Sequence, residues 1–227
     1  MKKLGMLLGL LLLFQTGYSA ENNSPVLTDG NCLFLNHLRI VAAAGVTNEN
    51  GAPSYDYAIG GFIGIESVLL RLLANVVMKS GIILTNQGAT YDENTSMNAM
   101  HYSLKSAQST VEEFSGTVRL TYLNVPVLFN YQSDMGIYGE VGLQPGLLLS
   151  AKDKYDGGSS DFKESAKTFN LGLPIGVGYA VNDKISVGVR SVIGITDNIE
   201  EMDYMGASQN SKEFMLVGIV KIKLNTK

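Results

Sequence analysis

The sequence predicts an all-β fold, an eight-stranded antiparallel up-and-down β-barrel. Two observations lead to this prediction: large apolar residues alternate with small or polar ones in eight successive segments, and the connections between these segments are alternately long and short. A period of two is the pattern of a β-strand whose two faces meet different surroundings. Eight such strands joined in chain order can close into a barrel that leaves no free edge.

The residues before the predicted barrel have the order of a secretory signal peptide. Two lysines are followed by an apolar run at residues 4–14 and then by small residues suited to cleavage. This run is short for a membrane-spanning helix, which needs about 20 residues. We therefore predict a cleaved signal peptide at residues 1–20, a short N-terminal segment at residues 21–36 and the barrel at residues 37–227. A retained membrane anchor is the alternative.

The first three strand candidates occupy residues 38–47, 57–66 and 71–86, and the first and third of them alternate less cleanly than the second. Glu66 ends the polar face of the second candidate, and Lys79 lies on the polar face of the third. The connection between these two candidates is predicted around residues 67–70. Residues 68–77 also fit helical spacing, so a short helix there is the alternative.

The other five candidates occupy residues 123–131, 137–150, 170–181, 184–196 and 214–224, and all but the last of these alternate clearly. From Leu171 to Val181 every second residue is large and apolar, whereas the residues between them are small, polar or proline. Pro126, Pro145 and Pro174 fall inside candidates. Because proline donates no hydrogen bond to a ladder, we predict bulges at these prolines, with a break in the strand as the alternative.

The connections and the two faces together indicate a membrane barrel. Alternate turns of a meander lie at one end, so the long connections gather on one side and both termini lie with the tight turns. Bacterial outer-membrane barrels have this asymmetry, with short periplasmic turns and longer extracellular loops. Glycines such as Gly142, Gly176 and Gly188 suit a narrow lumen, and the opposite, apolar face suits lipid. A soluble secreted barrel that binds an apolar ligand, or a sandwich, is the alternative.

Composition limits the possible chemistry. The chain has 17 Lys and Arg against 21 Asp and Glu, so it lacks the basic excess that nucleic-acid binding requires. One cysteine rules out an intramolecular disulfide and a cysteine-rich zinc site, and the sequence contains no phosphate loop or dinucleotide fingerprint. We therefore predict no cofactor, no metal site and no nucleic-acid partner.

Four charged residues fall on the predicted lumen face, namely Glu66, Lys79, Glu140 and Arg190. Counted from the tight turns, Glu140 and Arg190 lie at similar heights and two strands apart. A charge in a lumen of low dielectric constant must be paired. We predict an ion-pair network that fills and fixes the barrel, and a gate or selectivity residue of a pore is the alternative.

His101 and Ser103 raise the alternative of an envelope lipid hydrolase. Both lie in the third connection, and no third residue can be assigned to orient them, as a nucleophile and its base require. We expect an ordinary loop there and predict that the chain is not an enzyme.

Several stretches resemble the PorT-type family of small, porin-like outer-membrane β-barrel proteins. Residues 122–128, Tyr-Leu-Asn-Val-Pro-Val-Leu, resemble its proline-containing strand. Residues 136–146 and 172–179 are similar to its glycine-rich strands, and residues 190–198 are similar to the segment that follows. The resemblance implies an eight-stranded barrel in the outer membrane of a Gram-negative bacterium, without implying one activity.

These observations predict a non-enzymatic outer-membrane barrel with both termini in the periplasm and a structural or interaction role carried by its long loops. The expected partners are outer-membrane lipid and lipopolysaccharide, which acidic loop residues could reach through divalent ions, and another envelope protein. A small passive channel is the main alternative.

Overall fold

The computed structural model describes residues 37–50, 55–92, 115–155, 158–163, 166–197 and 212–224. The predicted signal peptide, residues 21–36, His101 and Ser103 lie outside these ranges. Within them the chain forms ten strands: β1 (Arg39–Asn50), β2 (Tyr55–Leu73), β3 (Val76–Asp92), β4 (Ser115–Asn124), β5 (Val127–Gln132), β6 (Ile137–Tyr155), β7 (Gly158–Asp161), β8 (Phe169–Ala180), β9 (Ile185–Asp197) and β10 (Lys212–Lys223). In the same ranges no helix is long and apolar enough to cross a bilayer.

The strands close into an antiparallel ring. Going round it, β1 pairs with β2 and β10, and the order continues through β9, β8, β6, the β4–β5 pair and β3, which returns to β2. β4 and β5 together make one wall strand, and β7 only extends β6 as a hairpin. The ring therefore has eight strands, and the predicted fold class is confirmed.

Several strands are longer than the sequence predicted. β2 continues to Leu73 and pairs with β3 up to Val76, so the tight turn lies at residues 74–75. The prediction of a turn at residues 67–70 is wrong, and so is the helical alternative at residues 68–77. The ladder continues because each paired residue satisfies the hydrogen bonds of its backbone groups within the sheet. The interior of a bilayer offers these groups no other hydrogen-bond partner. β1 likewise runs to Asn50 and leaves a first connection of only four residues, 51–54, which is shorter than expected.

The predicted bulges at the three prolines are also wrong. The register against β3 and β6 is the same before and after Pro126, where the wall strand divides into β4 and β5. The amide of Val125 still donates to the carbonyl of Pro145 at 2.9 Å, so only the missing proline N–H interrupts the ladder. Register shifts occur elsewhere, for example between Thr121 and Tyr122 in the β4–β6 pair.

Apolar and polar residues are distributed between the two faces of the ring as predicted. Large apolar residues point outward along every wall strand, and Ile59 is the most exposed of them at 77%. The inward face is buried, but it holds two apolar clusters as well as glycines and polar residues. One cluster contains Val41, Phe62, Ile83, Val192, Met215, Val217 and Ile219, and the other contains Val118, Leu120, Tyr122, Leu148, Ala151 and Ala166. Side chains therefore fill much of the lumen, as is usual for eight strands.

Candidate functional site

Four charged side chains meet inside the barrel, nearer its tight-turn end. They are Glu66 on β2, Glu140 on β6, Arg190 on β9 and Lys221 on β10, and we call them the lumen quartet. Each occupies an inward position of an alternating strand, so the strand period alone directs it toward the axis. β9 and β10 are neighbours in the ring, whereas β2 and β6 lie three wall strands apart, so the quartet links distant parts of the wall.

Arg190 joins both carboxylates. Its Nε and Nη2 donate to Oε1 of Glu140 at 2.9 and 2.7 Å, and Nη2 also donates to Oε1 of Glu66 at 2.8 Å. The planar guanidinium suits this double contact, because its donors are held in a fixed fork. Its central carbon lies 5.3 Å from the centre of the Phe62 ring, within the range of a cation–π contact.

Lys221 completes the network from the other side. Its Nζ donates to Oε2 of Glu140 at 2.6 Å and to Oε2 of Glu66 at 3.2 Å. Each carboxylate thus uses one oxygen for arginine and the other for lysine. The ammonium group also lies 5.2 Å from the centre of the Tyr138 ring.

Burial makes this pairing obligatory. The four side chains are at most 1% exposed, and two negative charges balance two positive ones. Moving each ion out of water costs several kcal/mol, and the attraction between the paired charges returns a similar amount. Removing one partner strongly destabilises the folded protein, because an unpaired charge is then left buried. The quartet is therefore an interlocked unit in which no member is dispensable.

Gly176 on β8 provides the space for the central pair. It is the cross-strand neighbour of both Glu140 and Arg190, so the two charges meet over its Cα. A Cβ at this position would lie 3.1 Å from Cγ and Oε1 of Glu140. Glycine suits this position because a larger side chain would occupy the gap that the ion pair bridges.

Replacing Gly176 with valine is expected to destabilise the folded barrel by about 1–3 kcal/mol, the usual cost of overpacking. The measurement is urea unfolding of the protein in phospholipid vesicles. Gly139→Val on β6 is the matched control, because nothing lies within 4 Å of an added Cβ there. Equal stability of the two variants would contradict the packing argument.

The structure brings together three of the four residues that the sequence singled out. Glu66, Glu140 and Arg190 are in contact, whereas Lys79 forms no ion pair within 4.0 Å among the described residues. Its Nζ instead lies 5.9 Å from the centre of the Tyr138 ring. Lys221 was missed as a partner, although its position between outward Val220 and Ile222 already marked it as inward.

Sequence comparison agrees with the architecture. Residues 9–200 match a family described as "Outer membrane protein beta-barrel domain". A search of curated proteins gives no match to this chain. The match supports the general barrel family, whereas the narrower PorT-type resemblance remains a prediction.

Solved structures are also similar to this chain. Neisserial surface protein A is 13% identical, with 82% of this chain and 97% of that chain covered and a TM-score of 0.50. The attachment invasion locus protein Ail of Yersinia pestis is 10% identical, with 83% and 99% covered and a TM-score of 0.41. The outer membrane protease OmpT of Escherichia coli is 10% identical, with 84% and 97% covered and a TM-score of 0.45. At 13% identity the likeness to the neisserial protein concerns the fold alone.

Proposed function

Because the chain belongs to the outer membrane protein beta-barrel domain family, we propose that it is a non-enzymatic outer-membrane barrel that presents its long connections at the cell surface. The observation that carries this proposal is the filled lumen. The quartet and the two apolar clusters occupy the interior, so activity has to reside outside it. The segments with the length to form a contact surface are the long connections.

The proposed orientation follows from the lengths of the connections. Residues 74–75, 133–136 and 181–184 join strands tightly at one end of the barrel, and the described chain also begins and ends there. Residues 93–114 and 198–211 make the longest connections at the other end. Barrels of this class have short turns in the periplasm and long loops outside, so both termini are assigned to the periplasm.

Lipopolysaccharide and outer-membrane lipid are the proposed partners of the wall and of the long connections, with another envelope protein as a further partner. Each of the eight wall strands has exposed large apolar residues on its outward face, which suits acyl chains. Residues 93–114 contain three glutamates and residues 198–211 contain two glutamates and one aspartate, which divalent ions could bridge to anionic lipid A.

Surface labelling tests the proposal. A short epitope tag inserted within residues 198–211 is expected to be accessible to antibody on intact cells. The same tag within residues 181–184 is the matched control and is expected to become accessible only after the outer membrane is permeabilised. Labelling of both tags, or of the second tag alone, on intact cells would contradict the proposed orientation.

Planar-bilayer recording distinguishes this function from that of a passive channel. The purified barrel is expected to give no steady conductance, because an ion passing through the lumen would have to displace the buried quartet. A steady conductance that changes with Glu140→Gln would establish the channel and overturn the display proposal.

A further inference from the structure

The outward face of β3, β4 and β6 changes from apolar to polar toward the long connections. Leu84 on β3 and Leu149 on β6 are the last exposed large apolar residues of these strands, at 43% and 41% exposed. The outward positions beyond them are polar, charged or glycine, namely Asn86, Gly88 and Thr90 on β3, Thr117, Arg119 and Thr121 on β4, and Lys152 and Lys154 on β6. The apolar band of a membrane barrel ends at the lipid headgroups, so these residues lie at headgroup level.

Three cations lie close together in this polar area, and we call them the basic patch: Arg119, Lys152 and Lys154. Arg119 and Lys152 are direct cross-strand neighbours, and Lys154 lies two residues further along the same face of β6. The residues on both sides of Arg119 and the residue before Lys152 are buried inside the barrel, so the three cations point outward. Like charges placed directly opposite each other repel. The basic patch therefore favours an anion.

Among the described residues no carboxylate lies within 4.0 Å of the charged nitrogens of the basic patch. Asp161 on β7 is the cross-strand neighbour of Lys152, but its Oδ1 accepts a hydrogen bond from the backbone amide of Lys163 at 2.9 Å. Lys163 brings a fourth cation to the same area, and its Nζ donates to the carbonyl of Leu149 at 2.7 Å. Four cations thus accompany one carboxylate, so the area has a net positive charge.

Arg119 is held in place by the wall itself. The register between β2 and β3 shifts between Tyr57 and Gly61, and Nη1 of Arg119 reaches across β3 to donate to the carbonyl of Ile59 in this irregular stretch. Nη1 also lies 3.5 Å from Oδ1 of Asn86. Within the described ranges Nε and Nη2 donate to no acceptor. The guanidinium is thus anchored through one nitrogen and keeps a fork of two donors, which suits a phosphate.

We propose that the basic patch binds the phosphate groups of lipid A, the acylated sugar that anchors lipopolysaccharide. This inference rests on the proposed placement of the barrel in the outer membrane with its long connections at the cell surface. Lipid A carries its phosphates directly above its acyl chains, which matches cations that lie just beyond exposed Leu84 and Leu149. A phosphate can accept from the arginine fork and from lysine ammonium groups together. This contact needs no divalent ion, in contrast to the contact proposed for the acidic connections.

Native mass spectrometry of the folded protein, released from detergent micelles in the presence of EDTA, measures the binding of purified lipid A. The wild type is expected to bind lipid A at least about tenfold more tightly than lipid A stripped of its phosphates. Arg119→Gln combined with Lys152→Gln is expected to lose this preference. Arg71→Gln combined with Lys184→Gln makes the same changes at exposed positions near the tight turns, and this matched control is expected to bind like the wild type.

A second variant keeps the test independent of the anchoring of Arg119. Lys152→Gln combined with Lys154→Gln leaves the contact with Ile59 intact and is also expected to reduce the preference for phosphate. An equal preference in the wild type and both patch variants overturns the site. A wild type that binds phosphatidylglycerol as tightly as lipid A also overturns it, because the patch would then recognise any anionic lipid. None of these outcomes affects the display proposal, which the epitope tags test separately.

Discussion

Replacing Arg190 with alanine is expected to destabilise the folded barrel by about 3–5 kcal/mol, the cost of breaking a buried ion pair by removing one partner. The guanidinium makes three hydrogen bonds to the two glutamates, so its loss leaves both carboxylates to Lys221 alone. The buried group then has a net negative charge. Urea unfolding in phospholipid vesicles, followed by the mobility difference between folded and heated samples, measures the change.

Two further variants show whether this loss comes from the network. Arg71→Ala removes an exposed arginine near the end of β2 and is expected to change stability by less than about 0.5 kcal/mol. Arg190→Lys keeps the charge without the fixed fork of donors, so an intermediate loss is expected. A loss below about 1 kcal/mol for Arg190→Ala would show that the quartet contributes little to stability.

Replacing Val189 with arginine is expected to destabilise the barrel by roughly 2–4 kcal/mol, the cost of a cation on the lipid face near the bilayer midplane. Val189 lies in the middle of β9, points outward and is 48% exposed. In a soluble barrel the same exposed position would face water, and the substitution would be nearly neutral. The same unfolding measurement therefore also tests which solvent surrounds the wall.

Asp183→Arg is the matched control for Val189→Arg. Asp183 is exposed in the tight connection between β8 and β9, at the edge of the wall. A cation near the membrane interface costs only about 0–1 kcal/mol. Similar stability of the two variants would contradict the lipid-facing assignment of Val189, because depth in the bilayer would then have no effect.

The fold was predictable because the strand period and the connection lengths both depend on local sequence. The alternation from Leu171 to Val181 already defines which residues face lipid, and the structure follows it. The tight turn at residues 74–75 was harder to locate, because the run of apolar residues before it has no glycine or proline to mark an end. Such positions are decided by cross-strand pairing rather than by local propensity.

The site was predictable only in part. Glu140 and Arg190 could be matched in height from the turns of neighbouring hairpins, because few residues separate them from those turns. The contact between Lys221 and Glu66 joins residues 155 apart, and it depends on how the last strand is staggered against the first. That stagger is a property of the closed ring, and no local pattern in the sequence reports it.

The quartet also bears on how the protein assembles. Glu66 comes from the second strand and Lys221 from the last, so these charges cannot meet until the seam between β1 and β10 has formed. Contacts this distant along the chain require closure of a long loop before they contribute free energy. In an unfinished sheet the four charges would remain hydrated, and their transfer into hydrocarbon would be unfavourable. Insertion into the membrane and formation of the seam should therefore occur together, because only a closed barrel pairs all four charges.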